Sequence, residues 1–277
     1  MTGTLEVRDL TKDFKIRDGL KRGTLRAANE VNFVLEQGKT IALVGESGSG
    51  KSTVARMIAK LEKPTSGEIL LDGKPTPFSG RSIADYRHEV QMVFQDPFAS
   101  LNPYHSIQHH LERPLRLHKK ASGRAEIDSQ VDALLERVNL TPARNVAARR
   151  PHELSGGQRQ RVAIARALAP GARFLIADEP VSMLDVSIRL GVLNLLARLQ
   201  REDNLGVLYI THDLATARHF SDEIMVMYHG NIVERGLSDD VILNPQHDYT
   251  KTLLAAAPDP VNQGKLREEI RAKFAAK

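Results

Sequence analysis

Two hydrophobic periods alternate along the chain, and each predicts a different element. Leu5-Glu6-Val7-Arg8-Asp9-Leu10 and Val31-Asn32-Phe33-Val34-Leu35 alternate apolar with polar positions, as half-buried antiparallel strands do. Thr40 to Val44, Val90 to Gln95, Arg173 to Pro180 and Leu205 to Asp213 are mostly apolar runs, which predict further strands. Gly67 to Gly73 reads as a strand closed by a turn, and Glu223 to Tyr228 with Asn231 to Glu234 as a hairpin around His229-Gly230. The helical period appears over Val54 to Leu61, where Pro64 is expected to end the helix, and again over Arg159 to Leu168. Between Leu101 and Arg149 the character is helical, with Ile127, Val131, Leu134, Leu135 and Val138 at helical spacing. Lys15 to Arg26 is basic and contains glycine, which predicts an exposed loop. The expected organisation is one α/β unit over residues 1–257, with an antiparallel edge sheet at its start and an α-helical subdomain inserted at about 97–168. A charged Ala/Lys-rich tail, 258–277, is expected to lie as a loose surface helix.

Composition narrows the setting. No cysteine is present, which excludes disulfides and thiolate metal sites. No run of about 18 apolar residues occurs, and Met1 to Glu6 lacks the basic start and apolar middle of a signal peptide, so a soluble protein in the cytoplasm is expected. The net charge of +5 is mild for 277 residues, and without tryptophan to stack bases it does not point to nucleic acid.

Gly45-Glu46-Ser47-Gly48-Ser49-Gly50-Lys51-Ser52-Thr53 brings in chemistry. It matches G-x-x-x-x-G-K-[ST] between an apolar strand and a helix. Its glycines let backbone N–H groups turn inward to phosphate oxygens, Lys51 reaches the terminal phosphates, and the Ser52 hydroxyl suits a magnesium ion. Asp178 and Glu179 end an apolar strand. There Asp178 is a candidate magnesium ligand, and Glu179 a candidate base for the water that attacks the γ-phosphate, unless the pair caps the next helix. His212 ends a further strand and is a candidate partner of the γ-phosphate or of that water. Gln95 also ends a strand, where it is either a ligand contact or a surface residue. Ser155-Gly156-Gly157-Gln158 opens a helix, either as a plain cap or as an anion site. Phe14 is a candidate for core packing or for stacking on a nucleotide base. His105, His109 and His110 lack the carboxylate or cysteine that would complete a metal site.

Taken in order, the phosphate loop, Gln95, Leu154-Ser155-Gly156-Gly157-Gln158, Asp178-Glu179, Ser182-Met183-Leu184-Asp185 and His212 resemble the ATP-binding subunits of ABC transporters over nearly the whole chain. The resemblance implies an ABC ATPase fold over 1–257 that binds ATP and Mg²⁺ between two such subunits. One subunit then supplies the phosphate loop, Asp178, Glu179 and His212, and the other the Ser155 helix end. It also implies Phe14 as the adenine-stacking residue, Gln95 as a magnesium or water contact, and Asp185 as a contact across the dimer. Gln95 to Pro103 and Asn244 to Thr250 resemble the oligopeptide and dipeptide import branch, some members of which serve nickel or oligosaccharide importers. The implied partners are transmembrane permease subunits, a second identical or related ATP-binding subunit and, through the complex, an extracytoplasmic solute-binding protein. The implied place is the cytoplasmic side of the cell membrane. A soluble ABC-type ATPase assisting an enzyme complex is the alternative. Met183 and Val181 depart from the family's usual alanine and threonine.

Overall fold

The apolar runs form the centre of a sheet buried on both faces. The computed structural model describes residues 3–18, 21–80 and 82–256. From the N-terminal side it runs β1 (Thr4–Asp18), β2 (Lys21–Glu36), β3 (Thr40–Val44), α1 (Lys51–Ile58), β4 (Ser66–Leu71), β5 (Lys74–Pro75), α2 (Ser82–Glu89) and β6 (Val90–Val93). The helices α3 (Pro97–Ser100), α4 (Ile107–Leu117), α5 (Arg124–Arg137), α6 (Ala143–Ala148) and α7 (Gly156–Leu168) follow, with a 3₁₀ turn at Pro151–Glu153. The chain continues through β7 (Phe174–Asp178), α8 (Val186–Glu202), β8 (Gly206–Thr211), α9 (Leu214–Phe220), β9 (Glu223–Tyr228), β10 (Asn231–Leu237), α10 (Ser238–Leu243) and α11 (Asp248–Ala256).

The larger sheet has the order β10-β9-β3-β8-β7-β6 and is parallel except for β10. Successive side chains of a strand point to opposite faces, and the core divides accordingly. Ala42, Val44, Leu175, Ala177, Val207 and Tyr209 join one cluster with residues of α4, α5, α7 and α8. Ile41, Leu43, Phe174, Ile176, Leu208 and Ile210 join the other, with Val54, Met57 and Ile58 of α1. That second cluster also takes Leu5, Val7, Val31 and Phe33 from an antiparallel sheet of order β2-β1-β4-β5. In the helical segment Ile127, Val131, Leu134 and Leu135 of α5 are buried together with Val138 just beyond it, as their spacing predicts.

The primed turns are visible in the backbone. Asp72 and Gly73 both take positive φ (52° and 73°) between β4 and β5, as do His229 and Gly230 (45° and 83°) between β9 and β10. Two-residue hairpin loops favour this twist, which places the expected hairpin at 229–230.

Two expectations fail. The described residues of the stretch Lys15 to Arg26, 15–18 and 21–26, are not a loop: Lys15 pairs with Thr24 and Ile16 with Gly23, so β1 and β2 extend outward as a ribbon. Ladder pairing satisfies backbone groups whether or not the side chains are buried, and Ile16 and Leu25 remain exposed, so charge and glycine content were misleading there. Helix α1 does not run on to Pro64. It stops at Ile58, where Lys60 takes φ 56°, the Lys60 amide donates to Met57 O and the Leu61 amide to Arg56 O. This is the Schellman arrangement, which glycine usually serves. Here the lysine is held by its own head group, which donates to Thr76 O and lies 3.6 Å from the centroid of the Phe78 ring. The tail expected at 258–277 lies outside the described residues.

Candidate functional site

The loop from Gly45 to Gly50 joins β3 to α1 at the carboxyl edge of the parallel sheet, where crossover geometry opens a crevice. Two of its glycines have no room for a side chain. A Cβ at Gly45 would lie 2.2 Å from Met227 O, and one at Gly50, where φ is 109°, would lie 1.9 Å from Ala27 O. Gly48 also has positive φ (82°) but faces open space. Gly48→Ala therefore costs only the left-handed conformation, about 1–2 kcal/mol, while Gly50→Ala adds a backbone clash and is expected to cost about 3 kcal/mol or more. Urea unfolding of the two variants should separate them in that order.

Lys51, 4% exposed, folds its ammonium over the loop and donates to Gly45 O at 2.7 Å and Glu46 O at 2.8 Å. Burial lowers its pKa, against the opposing charges of Glu179, Asp178 and Glu46. The Ser52 hydroxyl donates to Asp178 Oδ1 at 3.1 Å. Asp178 is buried at the end of β7, and this burial raises its carboxyl pKa despite the Ser52 bond. The Ser49 hydroxyl is buried in the loop without a hydrogen-bond partner.

Residues from three neighbouring strand ends meet at one oxygen. Glu179 follows β7 in a left-handed conformation (φ 44°), its amide donating to Ile210 O at 3.0 Å. A non-glycine residue in this region costs roughly 1–2 kcal/mol. Its Oε2 accepts from Gln95 Nε2 at 3.0 Å, just beyond β6, and lies 3.4 Å from His212 Nδ1, just beyond β8. The strand order β8-β7-β6 places these three strand ends side by side. Gln95 is exposed at its strand end, with its side chain tied to Glu179.

The other candidates stand apart from this cluster. Ser155 caps α7 by accepting from the Gln158 amide at 3.3 Å, and Gln158 Oε1 returns the bond from the Ser155 amide at 3.0 Å. These bonds close on their own helix, with Gly156 near Leu184 and Gly157 against Ile188. Asp185 is exposed ahead of α8 and makes no capping bond. Phe14 is half-buried on the β1–β2 ribbon, with Lys12 Nζ 4.9 Å from its ring centroid. His110 is buried and pairs with Asn102 O at 3.0 Å, while the rings of His105 and His109 stack at 4.0 Å. Among the described residues, no cluster of three His, Asp or Glu side chains could hold a metal, and no helix is long and apolar enough to cross a membrane.

One contact has no counterpart in the sequence reading. Tyr249 of α11 accepts a hydrogen bond from the Glu46 amide at 3.0 Å, and so reaches the phosphate loop from the far end of the described chain. Its only sequence signal is its membership of the Asn244 to Thr250 stretch, which says nothing of where the ring lands.

Known proteins match most of the chain. The ABC transporter family model matches residues 28–182. The oligopeptide transport ATP-binding protein AppF of Bacillus subtilis is 46% identical over 96% of this chain and 81% of its own length. The oligopeptide transport ATP-binding protein OppF of Escherichia coli is 45% identical over 92% of this chain and 78% of its own. Among solved structures, a dimeric ATP-binding cassette in a post-hydrolysis state with ADP and Pi superposes with a TM-score of 0.74 at 30% identity, covering 84% of this chain and 98% of that one. With the phosphate loop and the strand-end residues in the places described, the chain belongs to the ABC transporter family and carries that family's ATPase cassette.

Proposed function

We propose that this cassette drives the uptake of a peptide-like solute, working against permease subunits at the cytoplasmic face of the cell membrane. The convergence of Gln95, Glu179 and His212 on one carboxylate oxygen, beside the Ser52–Asp178 pair, carries the reading. The names of the relatives point to peptides as the solute class.

In this reading the inward amides of Gly45 to Thr53 cradle the phosphates of ATP, and Lys51 leaves its loop carbonyls to pair with the terminal ones. Magnesium, when bound, supplies positive charge that offsets the charge developing on the phosphates. The residues fit it: the Ser52 hydroxyl and Asp178 carboxylate are hard oxygen donors already 3.1 Å apart, and the Gln95 amide, tied to the neighbouring Glu179, is the further candidate contact. Glu179 takes the proton of the attacking water, while Gln95 and His212 hold its Oε2 in place. Phe14 offers its ring to the adenine. As the resemblance to the family implies, Ser155, Gly156, Gly157 and Gln158 act on the site of a second subunit, and Asp185 belongs to that same subunit boundary. A helix N-terminus aimed at the γ-phosphate favours association only while the nucleotide is a triphosphate, so hydrolysis releases the pair. An extracytoplasmic binding protein then delivers solute to the permease.

Purification in mild detergent is the test. A transmembrane pair retained with the chain, and ATP hydrolysis that rises when reconstituted permease is given peptide, are the expected results. Retention of a soluble enzyme complex instead, without membrane subunits, would overturn the transporter reading.

A further inference from the structure

The loop that the nucleotide reading depends on is braced by a segment far away in sequence. Glu234 on β10 accepts from the Gln246 amide at 2.7 Å with one carboxylate oxygen and from the His247 amide at 3.0 Å with the other. Burial works against this carboxylate, but the hydrogen bonds led by the Gln246 amide outweigh it and keep its pKa below the ordinary range. The segment so held turns into α11, with the Tyr249 amide donating to His247 Nδ1 at 3.1 Å. The Tyr249 ring packs on Tyr228 with centroids 4.1 Å apart and planes inclined by 30°. The hydroxyl at its tip meets the Glu46 amide. A few residues further along the loop, Ser49 O accepts from the Gly230 amide at 2.9 Å.

We infer that Tyr249 is a positioning residue for ATP binding: its hydroxyl pins the Glu46 amide and so presets the opening turn of the phosphate loop, with Glu234 holding the segment that delivers it. This rests on the nucleotide site proposed above. The physical reason is preorganisation. Glu46 follows a glycine and is itself exposed, so without the Tyr249 bond its amide turns to water and the turn at Gly45 gains backbone freedom that nucleotide must then remove. Burial raises the Tyr249 pKa, so the phenol stays protonated at neutral pH and meets the amide with a lone pair.

Tyr249→Phe keeps the ring and removes only the hydroxyl. In the full chain with its transporter, KM for ATP and the dissociation constant of a fluorescent ATP analogue are expected to rise roughly 3- to 10-fold, the worth of one hydrogen bond, with kcat within about twofold and the melting midpoint nearly unchanged. Tyr249→Ala should weaken binding by a similar factor, and Glu234→Ala combined with Tyr249→Phe should weaken it no further than either change alone. Binding by Tyr249→Phe equal to wild type overturns the inference, as does a fall in kcat at constant KM. Lys51→Ala serves as the control. If that variant also binds normally, the nucleotide site itself is misplaced; if it alone fails, only the role given to Tyr249 is lost.

Discussion

Glu179→Gln is expected to bind ATP at least as tightly as the native chain and to hydrolyse it about 10³-fold more slowly, within the range that general-base catalysis contributes. A glutamine at 179 is isosteric, and its amide oxygen can still accept from Gln95 Nε2 and face His212, so the strand-end cluster keeps its shape. What it loses is the lone-pair basicity that takes a proton from water. It also loses a negative charge that acts on Lys51 and Asp178, and a negative charge there opposes a polyphosphate. Affinity and turnover should therefore move apart, and chains held together by unhydrolysed ATP should elute as a dimer in size-exclusion chromatography with magnesium. Steady-state phosphate release reads the other half of the effect. Hydrolysis near the native rate would remove Glu179 from the role of base and leave the convergence at its Oε2 as a structural tie.

The residues in that argument were legible in the sequence for a particular reason. A phosphate loop needs glycines, lysine and a hydroxyl at contiguous positions, and a parallel strand needs an unbroken apolar run before a polar end, so both leave local marks. Gln95, Glu179 and His212 could each be placed at a strand end. That they share one oxygen could not, since this depends on β6, β7 and β8 being neighbours in the sheet. The ribbon at 15–18 and 21–26 escaped because its stabilisation lies in backbone pairing, to which side-chain polarity is a poor guide. The end of α1 escaped because Lys60 takes the left-handed position usually left to glycine, for reasons found in Thr76 and Phe78. Tyr249 is the extreme case: it meets Glu46 across 203 residues, and no period or motif near either of them records the meeting.

Lys51→Ala should abolish the affinity that Glu179→Gln preserves, raising the dissociation constant for ATP by about 100-fold or more. Truncating one member of a buried charge pair typically costs 2–5 kcal/mol in binding, and this ammonium faces more than one anion. In the structure it lies within the fields of Glu179, Asp178 and Glu46, with burial already lowering its pKa. Removing it leaves Asp178, whose carboxyl burial has already raised, without one of the charges that pull its pKa back down. A triphosphate entering the cradle would then meet carboxylates without the cation that offsets them. The fold should tolerate the change better than the site does. Glu46 is exposed and its carbonyl keeps the Ser49 amide as a donor at 3.2 Å, so water can replace the ammonium there, and the cost falls on the buried Gly45 O alone. Titration of a fluorescent ATP analogue, with circular dichroism to confirm that the variant is folded, separates the two effects. Native affinity in a folded Lys51→Ala variant would mean that Gly45 to Thr53 is not where phosphate is held, and the assignments of Ser52 and Asp178 to magnesium would fall with it.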